Sequence, residues 1–216
     1  MIKNIIFDLD GVVRGIKNTP LNEIIPKQYH TEYKGVGLCD FLAKYLPMNI
    51  FKEWDKGKVS ALEVLNEILK VSDEPEDVVK LAFNALLLPE HNFVYNPTIR
   101  LIKALKKEKY KLFILSNMCI EVVNILPKLF DLSLFDKTCF SCNVGLRKPD
   151  KQFYEKALQQ FDIDPCESLF IDDNYNNLVP FQNFGGHTFL FDYKNIDESI
   201  KNLENTLNKK YKHKSQ

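Results

Sequence analysis

The segment Ile5-Ile6-Phe7-Asp8-Leu9-Asp10-Gly11-Val12-Val13 constrains the fold more than any other part of the chain. Ile5 to Phe7 is a short uninterrupted apolar run bounded by turn chemistry, the pattern of a strand buried on both faces of a parallel sheet. Asp8 and Asp10 then fall at the carboxyl end of that strand, the edge at which open α/β sheets bind ligands, and Gly11 permits a sharp turn directly after them. Two carboxylates so close together repel, so something must neutralise them.

Strand followed by helix then recurs along the second half of the sequence. Leu112 to Leu115 is a continuous apolar run ending in Ser116-Asn117, and Ile120, Val123 and Leu126 begin a helix after it. Thr138 to Ser141 reads as a strand, and Asp150 is expected to cap a helix with Phe153, Tyr154, Ala157, Leu158 and Phe161 on one face. Leu169 to Ile171 is another buried strand, ending in Asp172-Asp173-Asn174, and Thr188 to Phe191 is the last. This alternation predicts an α/β fold: a doubly wound parallel sheet with right-handed crossovers, made from residues 1–14 and 91–216.

Residues 15–90 read differently, as a helical insertion after the first strand. Residues 14 to about 34 give no defined element, but Leu38 to Leu46 is helical up to Pro47, and Ile50, Phe51 and Trp54 continue the apolar spacing up to Gly57. Ser60 and Glu63 form a capping box ahead of a helix whose apolar face is expected at Leu62, Leu65 and Leu69. Asp73-Glu74-Pro75-Glu76 starts a further helix through Val78, Val79, Ala82, Phe83 and Leu86. Because both ends of this insertion rejoin the core at or near the carboxyl edge, it is expected to stand over that edge as a lid. Asn96-Pro97 opens the next helix, with Asn96 as its N-cap, and Ile196, Ile200, Leu203 and Leu207 describe a C-terminal docking helix followed by a basic tail, Lys209 to Lys214.

Composition narrows the function classes. The 29 basic and 29 acidic residues cancel, so no global field draws the chain to nucleic acid or an anionic membrane. The N-terminal apolar run is too short for a signal peptide, no stretch approaches a membrane span, and a cytoplasmic protein is expected. Cys39, Cys119, Cys139, Cys142 and Cys166 are an odd set in a chain too long to need stapling, which favours reduced thiols. Cys139 and Cys142 have Cys-x-x-Cys spacing but no second pair, so they read as strand residues and not as a zinc or redox site.

Polar residues follow three strands at the same edge: Asp8 and Asp10, Ser116, and Asp172 with Asp173. Lys148 joins them from a loop before a helix. Four carboxylates against one lysine cannot occupy a dry pocket without a cation or bound protons. Oxygen donors of this kind suit magnesium, which keeps its waters and takes a substrate phosphate as partner.

The ordered set Asp8-Leu9-Asp10-Gly11-Val12, Ser116, Lys148-Pro149-Asp150 and Asp172-Asp173 resembles the haloacid dehalogenase (HAD) superfamily, specifically its phosphatases with a helical C1-type cap inserted after the first motif. The resemblance spans nearly the whole chain and implies a Rossmann-like core. It also implies a magnesium-dependent hydrolase acting on a small-molecule phosphate ester, with Asp8 as the nucleophile that forms an aspartyl-phosphate. Asp10 would protonate the leaving alcohol and then deprotonate water. Ser116, Asn117 and Lys148 would bind the phosphoryl group. Asp8, the Asp10 backbone carbonyl and Asp173 would bind Mg2+, with Asp172 behind them orienting Lys148. An Asp at position 10 argues against a dehalogenase, because a halide leaves without a proton.

The run Val144-Gly145-Leu146-Arg147-Lys148-Pro149-Asp150, with Ile171-Asp172-Asp173-Asn174, looks most like the α-D-glucose-1-phosphate phosphatase branch, which implies a sugar phosphate. Two features depart from the family pattern. Asn177 stands where a further acid is common, and Pro180 is expected to interrupt the helix there. A sugar phosphomutase and a catalytically idle scaffold of the same fold are the alternative readings, and the oligomeric state is expected to be monomer or homodimer. Arg14, Tyr33 and Trp54 are lid-contact candidates that read more simply as ordinary surface or packing residues.

Overall fold

The structure is a computed structural model, and it describes the backbone of residues 1–212 and the side chains of residues 1–207. A five-stranded parallel sheet is assembled from β1 (Asn4–Phe7), β4 (Lys111–Ser116), β5 (Lys137–Phe140), β6 (Ser168–Asp172) and β7 (His187–Leu190), in the order β5-β4-β1-β6-β7. The first strand is thus central. Phe7 is level with Ile114 on one side and Ile171 on the other, so the chain leaves β1, β4 and β6 at nearly the same height.

Alternation along these strands divides the core into two layers. Ile5, Phe7, Leu112, Ile114, Leu169 and Ile171 face one layer, whereas Ile6, Phe113, Leu115 and Phe170 face the other. Side chains on successive strand residues point to opposite faces, so a continuous apolar run is what a strand covered on both sides requires. Helices α5 (Asn96–Lys107), α6 (Ile120–Leu129), α8 (Lys151–Phe161), α9 (Tyr175–Asn183) and α10 (Ile196–Lys212) supply that cover, with α8 and α9 over the second layer and α10 packed on α5. A short turn of helix, α7 (Ser141–Val144), follows β5 directly. The basic residues from Lys209 onward lie outside the described side chains.

Four helices lie between the halves of this core: α1 (Leu38–Tyr45), α2 (Met48–Asp55), α3 (Ala61–Val71) and α4 (Glu76–Leu86). They pack on one another, and α2 also packs on α7. Their apolar residues merge with the first core layer into one cluster. The path into and out of this stretch is an antiparallel ribbon of β2 (Arg14–Ile16) and β3 (Asn92–Val94), which the sequence patterning does not predict. Each strand has only three residues, too few to display a period.

Several local expectations need correction. The capping box at Ser60 is present, but α3 buries Val64, Leu65 and Ile68, and Leu62 is 65% exposed. Tyr95 takes the N-cap place of α5, leaving Asn96 as its first residue, and Asp150 occupies the N-cap of α8 without a side-chain capping bond. Pro180 lies inside α9, which continues through it to Asn183. Asp73 and Glu74 bond the Tyr45 hydroxyl, and Glu74 also accepts from Tyr33. No helix among the described residues is long and apolar enough to cross a membrane, and all five cysteines are free thiols.

Trp54 joins the insert to the core: it is 2% exposed, and its Nε1 donates to Glu121 of α6 at 2.9 Å. Trp54→Ala removes that area and leaves a cavity, so the unfolding free energy is expected to fall by about 3–5 kcal/mol. Chemical denaturation checks this as a lowered midpoint.

Candidate active site

One cavity of about 440 Å³ opens at the carboxyl edge of the sheet. Its floor comes from Asp8, Asn117, Lys148 and Asp173, and its walls include Phe51 and Asp55 of α2, Tyr95 and Tyr193. Asp8 directly follows β1 and Asp172 ends β6, which makes them neighbours on adjacent parallel strands. Both are buried.

Lys148 lies between these carboxylates. Its side chain is 1% exposed, and Nζ stands 2.8 Å from Asp8 Oδ2 and 2.6 Å from Asp172 Oδ2. The Phe170 ring is 5.3 Å from the same nitrogen. Burial pushes the Asp8 carboxyl up strongly, and the Lys148 charge pulls it back. Burial works against the charged lysine too, yet Asp8 and Asp172 together carry its pKa above the usual value. Asn117 locks the lysine's main chain, its amide donating to the Lys148 carbonyl at 3.0 Å and accepting from the Lys148 N–H at 2.7 Å. The Asn117 side chain therefore holds Lys148, although the residue also lines the cavity.

Both oxygens of Asp172 are engaged. Oδ1 accepts from the Asn174 N–H at 2.8 Å and from Asn177 Nδ2 at 3.0 Å, and Oδ2 accepts from Lys148. Asn177, which stands where a further acid is common in the family pattern, thus orients Asp172. Asp173 is half-buried, and burial with the neighbouring Asp172 charge raises its pKa to about 6. Gly11 makes room for it: at φ 76°, a Cβ there would fall 2.5 Å from Asp173 Oδ2.

Carboxylate oxygens of Asp8, Asp172 and Asp173 all lie within 4.8 Å of one another. Three carboxylates against the single Lys148 ammonium leave two negative charges, which an oxygen-seeking dication would balance. The Ser116 hydroxyl is completely buried at the end of β4. It is close enough to Asp8 to favour the ionised form, but among the described residues no partner meets hydrogen-bond geometry. An orphaned buried hydroxyl beside this cluster fits a site built for a polar group that completes it.

Asp10 is not one of the three clustered carboxylates. Its side chain is half-exposed and forms an ion pair with Arg14, Oδ1 to Nη1 at 2.6 Å. Sequence reasoning did not find this partner, nor the pair of Arg147 Nη2 with Asp55 Oδ2 at 3.0 Å, which spans the cavity wall. Burial raises the Asp55 pKa to about 6 against the pull of Arg147. The three lid-contact candidates are all buried: Arg14 in the ribbon, and Tyr33 and Trp54 in the packing of the insert.

The family model described as haloacid dehalogenase-like hydrolase matches residues 2–185. Pyrophosphatase PpaX of Bacillus thuringiensis is 27% identical over 191 residues, covering 87% of this chain and 82% of that protein. Among solved structures, a HAD family enzyme of Bacteroides thetaiotaomicron in complex with magnesium and inorganic phosphate superposes with a TM-score of 0.66 at 23% identity, covering 88% of this chain and 94% of the other. A predicted HAD-like family hydrolase from Porphyromonas gingivalis gives a TM-score of 0.62 at 27% identity, covering 94% and 98%. The match extends from the start of β1 past the end of α9 and includes every residue of the carboxylate–lysine cluster, so this chain belongs to the haloacid dehalogenase-like hydrolases.

Proposed function

We propose that the chain is a magnesium-dependent phosphatase that hydrolyses a small phosphorylated metabolite through an aspartyl-phosphate. The observation that carries this reading is Lys148 buried between Asp8 and Asp172, with Asp173 and the unpartnered Ser116 hydroxyl beside them. Such a floor offers a carboxylate nucleophile, buried donors for phosphoryl oxygens, and excess negative charge for a cation. The magnesium and phosphate bound by the Bacteroides relative and the pyrophosphatase activity named for the Bacillus one both point the same way.

In this reading Asp8, Asp173 and the Asp10 backbone carbonyl would hold Mg2+, which would supply positive charge to offset that of the carboxylates and the phosphoryl group. An Asp8 oxygen attacks phosphorus. The Lys148 ammonium and the Ser116 hydroxyl meet the charge that develops on the phosphoryl oxygens, and Asp8 and Asp172 hold the ammonium in place before substrate arrives. Asp10 gives a proton to the leaving oxygen and later takes one from the water that cleaves the aspartyl-phosphate. Residues 15–90 act as a cap on the core formed by residues 1–14 and 91–216, with Phe51 and Asp55 facing the substrate. A sugar phosphate suits walls that mix Tyr95, Tyr193 and the Asp55–Arg147 pair, since hydroxyls need both donors and acceptors.

Phosphate release from a panel of phosphorylated metabolites, with hexose phosphates and inorganic pyrophosphate among them, tests the reading. Wild type is expected to turn over at least one sugar phosphate, and Asp8→Asn to turn over none. A wild type as inactive as Asp8→Asn across the panel would overturn it. Lys148→Ala is expected to lower kcat/KM about 10²–10³-fold. Because it strands two buried carboxylates, it is also expected to cost about 3–5 kcal/mol of stability, seen as a lower denaturation midpoint. Chelation with EDTA is expected to abolish turnover and added Mg2+ to restore it. The same addition should raise the thermal midpoint, as ligand binding to the folded state requires.

A further inference from the structure

Arg14 has a 1% exposed side chain, and a buried guanidinium is costly unless it is paired. Nη1 lies 2.6 Å from Asp10 Oδ1, and Nη2 donates to Asn92 Oδ1 across the β2–β3 ribbon. Nε has no partner among the described residues. Asn92 cannot turn freely, because its Nδ2 donates to the carbonyls of Leu88 at 2.7 Å and Leu86 at 3.3 Å, which leaves Oδ1 as the acceptor facing Arg14. A chain of bonds therefore runs from the end of α4 through Asn92 and Arg14 to Asp10.

With both terminal nitrogens occupied and no exposed surface, Arg14 is unavailable to bind substrate. Asp10, by contrast, has a side chain 51% exposed on a turn, where a carboxylate without a partner would sample several rotamers. We propose that Arg14 is a positioning residue for Asp10: it grips one carboxylate oxygen so that the other faces the reacting atoms, and Asn92 ties that grip to the helical insert. This rests on reading Asp10 as the acid and base of a phosphatase. In the first half-reaction the bond from Asp8 to phosphorus forms as the bond to the leaving oxygen breaks, and the Asp10 proton goes to that oxygen. In the second, the water oxygen bonds to phosphorus, its proton goes to Asp10, and the Asp8–phosphorus bond breaks.

Leaving groups separate positioning from scaffolding. p-Nitrophenolate departs without a proton, whereas an alkoxide needs one. Arg14→Met, Arg14→Lys, Asp10→Asn and the double variant Arg14→Met with Asp10→Asn are compared with wild type by single-turnover rapid quench on p-nitrophenyl phosphate and glycerol phosphate. Arg14→Met is expected to lose about ten-fold more rate on glycerol phosphate than on p-nitrophenyl phosphate, with KM nearly unchanged and partial recovery in Arg14→Lys. In the Asp10→Asn background, Arg14→Met should cost nothing further, as for residues acting through one another. Equal losses on both substrates, additive losses in the double variant, or a wild-type profile in Arg14→Met beside an impaired Asp10→Asn would overturn the inference while leaving the phosphatase reading intact. An Asp10→Asn variant as fast as wild type on glycerol phosphate would overturn the acid–base reading, and this inference with it. Should circular dichroism show Arg14→Met unfolded, Arg14→Lys keeps the buried charge and carries the same comparison.

Discussion

The ammonium of Lys148, held out of water between two carboxylates, is the interaction on which the arrangement of this site depends. Pairs of this kind are poor sources of net stability, because the desolvation of both partners offsets their attraction. What the pair provides is position. Asn117 pins the lysine's main chain, Asn174 and Asn177 pin Asp172, and Asp8 accepts the Leu9 N–H at 2.7 Å. Each of these charged residues is thereby held, besides its ion pair, by a neighbour that carries no charge. A donor oriented in advance reaches a developing charge without the reorganisation that water would need.

That fixity is inherited from the sheet. The order β4-β1-β6 brings Ser116, Asp8 and Asp172 to one edge because the register sets Ile114, Phe7 and Ile171 side by side. Apolar residues cover both faces of these strands, so no strand can slip by one position without turning its buried side chains into the opposite layer. The polar tips are consequently held at a constant height by packing that lies wholly beneath them.

This explains which features were legible in the sequence. Strands covered on both sides must be apolar throughout, so Ile5 to Phe7, Leu112 to Leu115 and Leu169 to Ile171 stood out, and the polar residue ending each run marked the edge. Lys148 was found by motif; its burial was not, since nothing local to residue 148 reports how deep a loop lies. In α3 the run Leu62-Glu63-Val64-Leu65-Asn66-Glu67-Ile68-Leu69 admits two apolar stripes, and only packing against α2 and α4 selects the one through Val64, Leu65 and Ile68. The break expected at Pro180 assumed that a missing N–H ends a helix, whereas α9 continues after losing one bond. Two pairings are concealed by sequence separation: Asn92 lies 78 positions from Arg14, and Asp55 lies 92 positions from Arg147.

These partnerships also distribute charge in a telling way. Asp8 and Asp172 share Lys148, Asp10 has Arg14, and Asp55 has Arg147. Asp173 forms no ion pair among the described residues, and burial beside Asp172 raises its pKa. A carboxylate that packing confines, that has no cation of its own, and that a glycine has been shaped to admit is out of keeping with a stability role. It fits a group kept ready for a ligand, and the proposed dication is the partner with the charge and the oxygen preference to meet it. On that reading Asp173 is where the site is completed from outside.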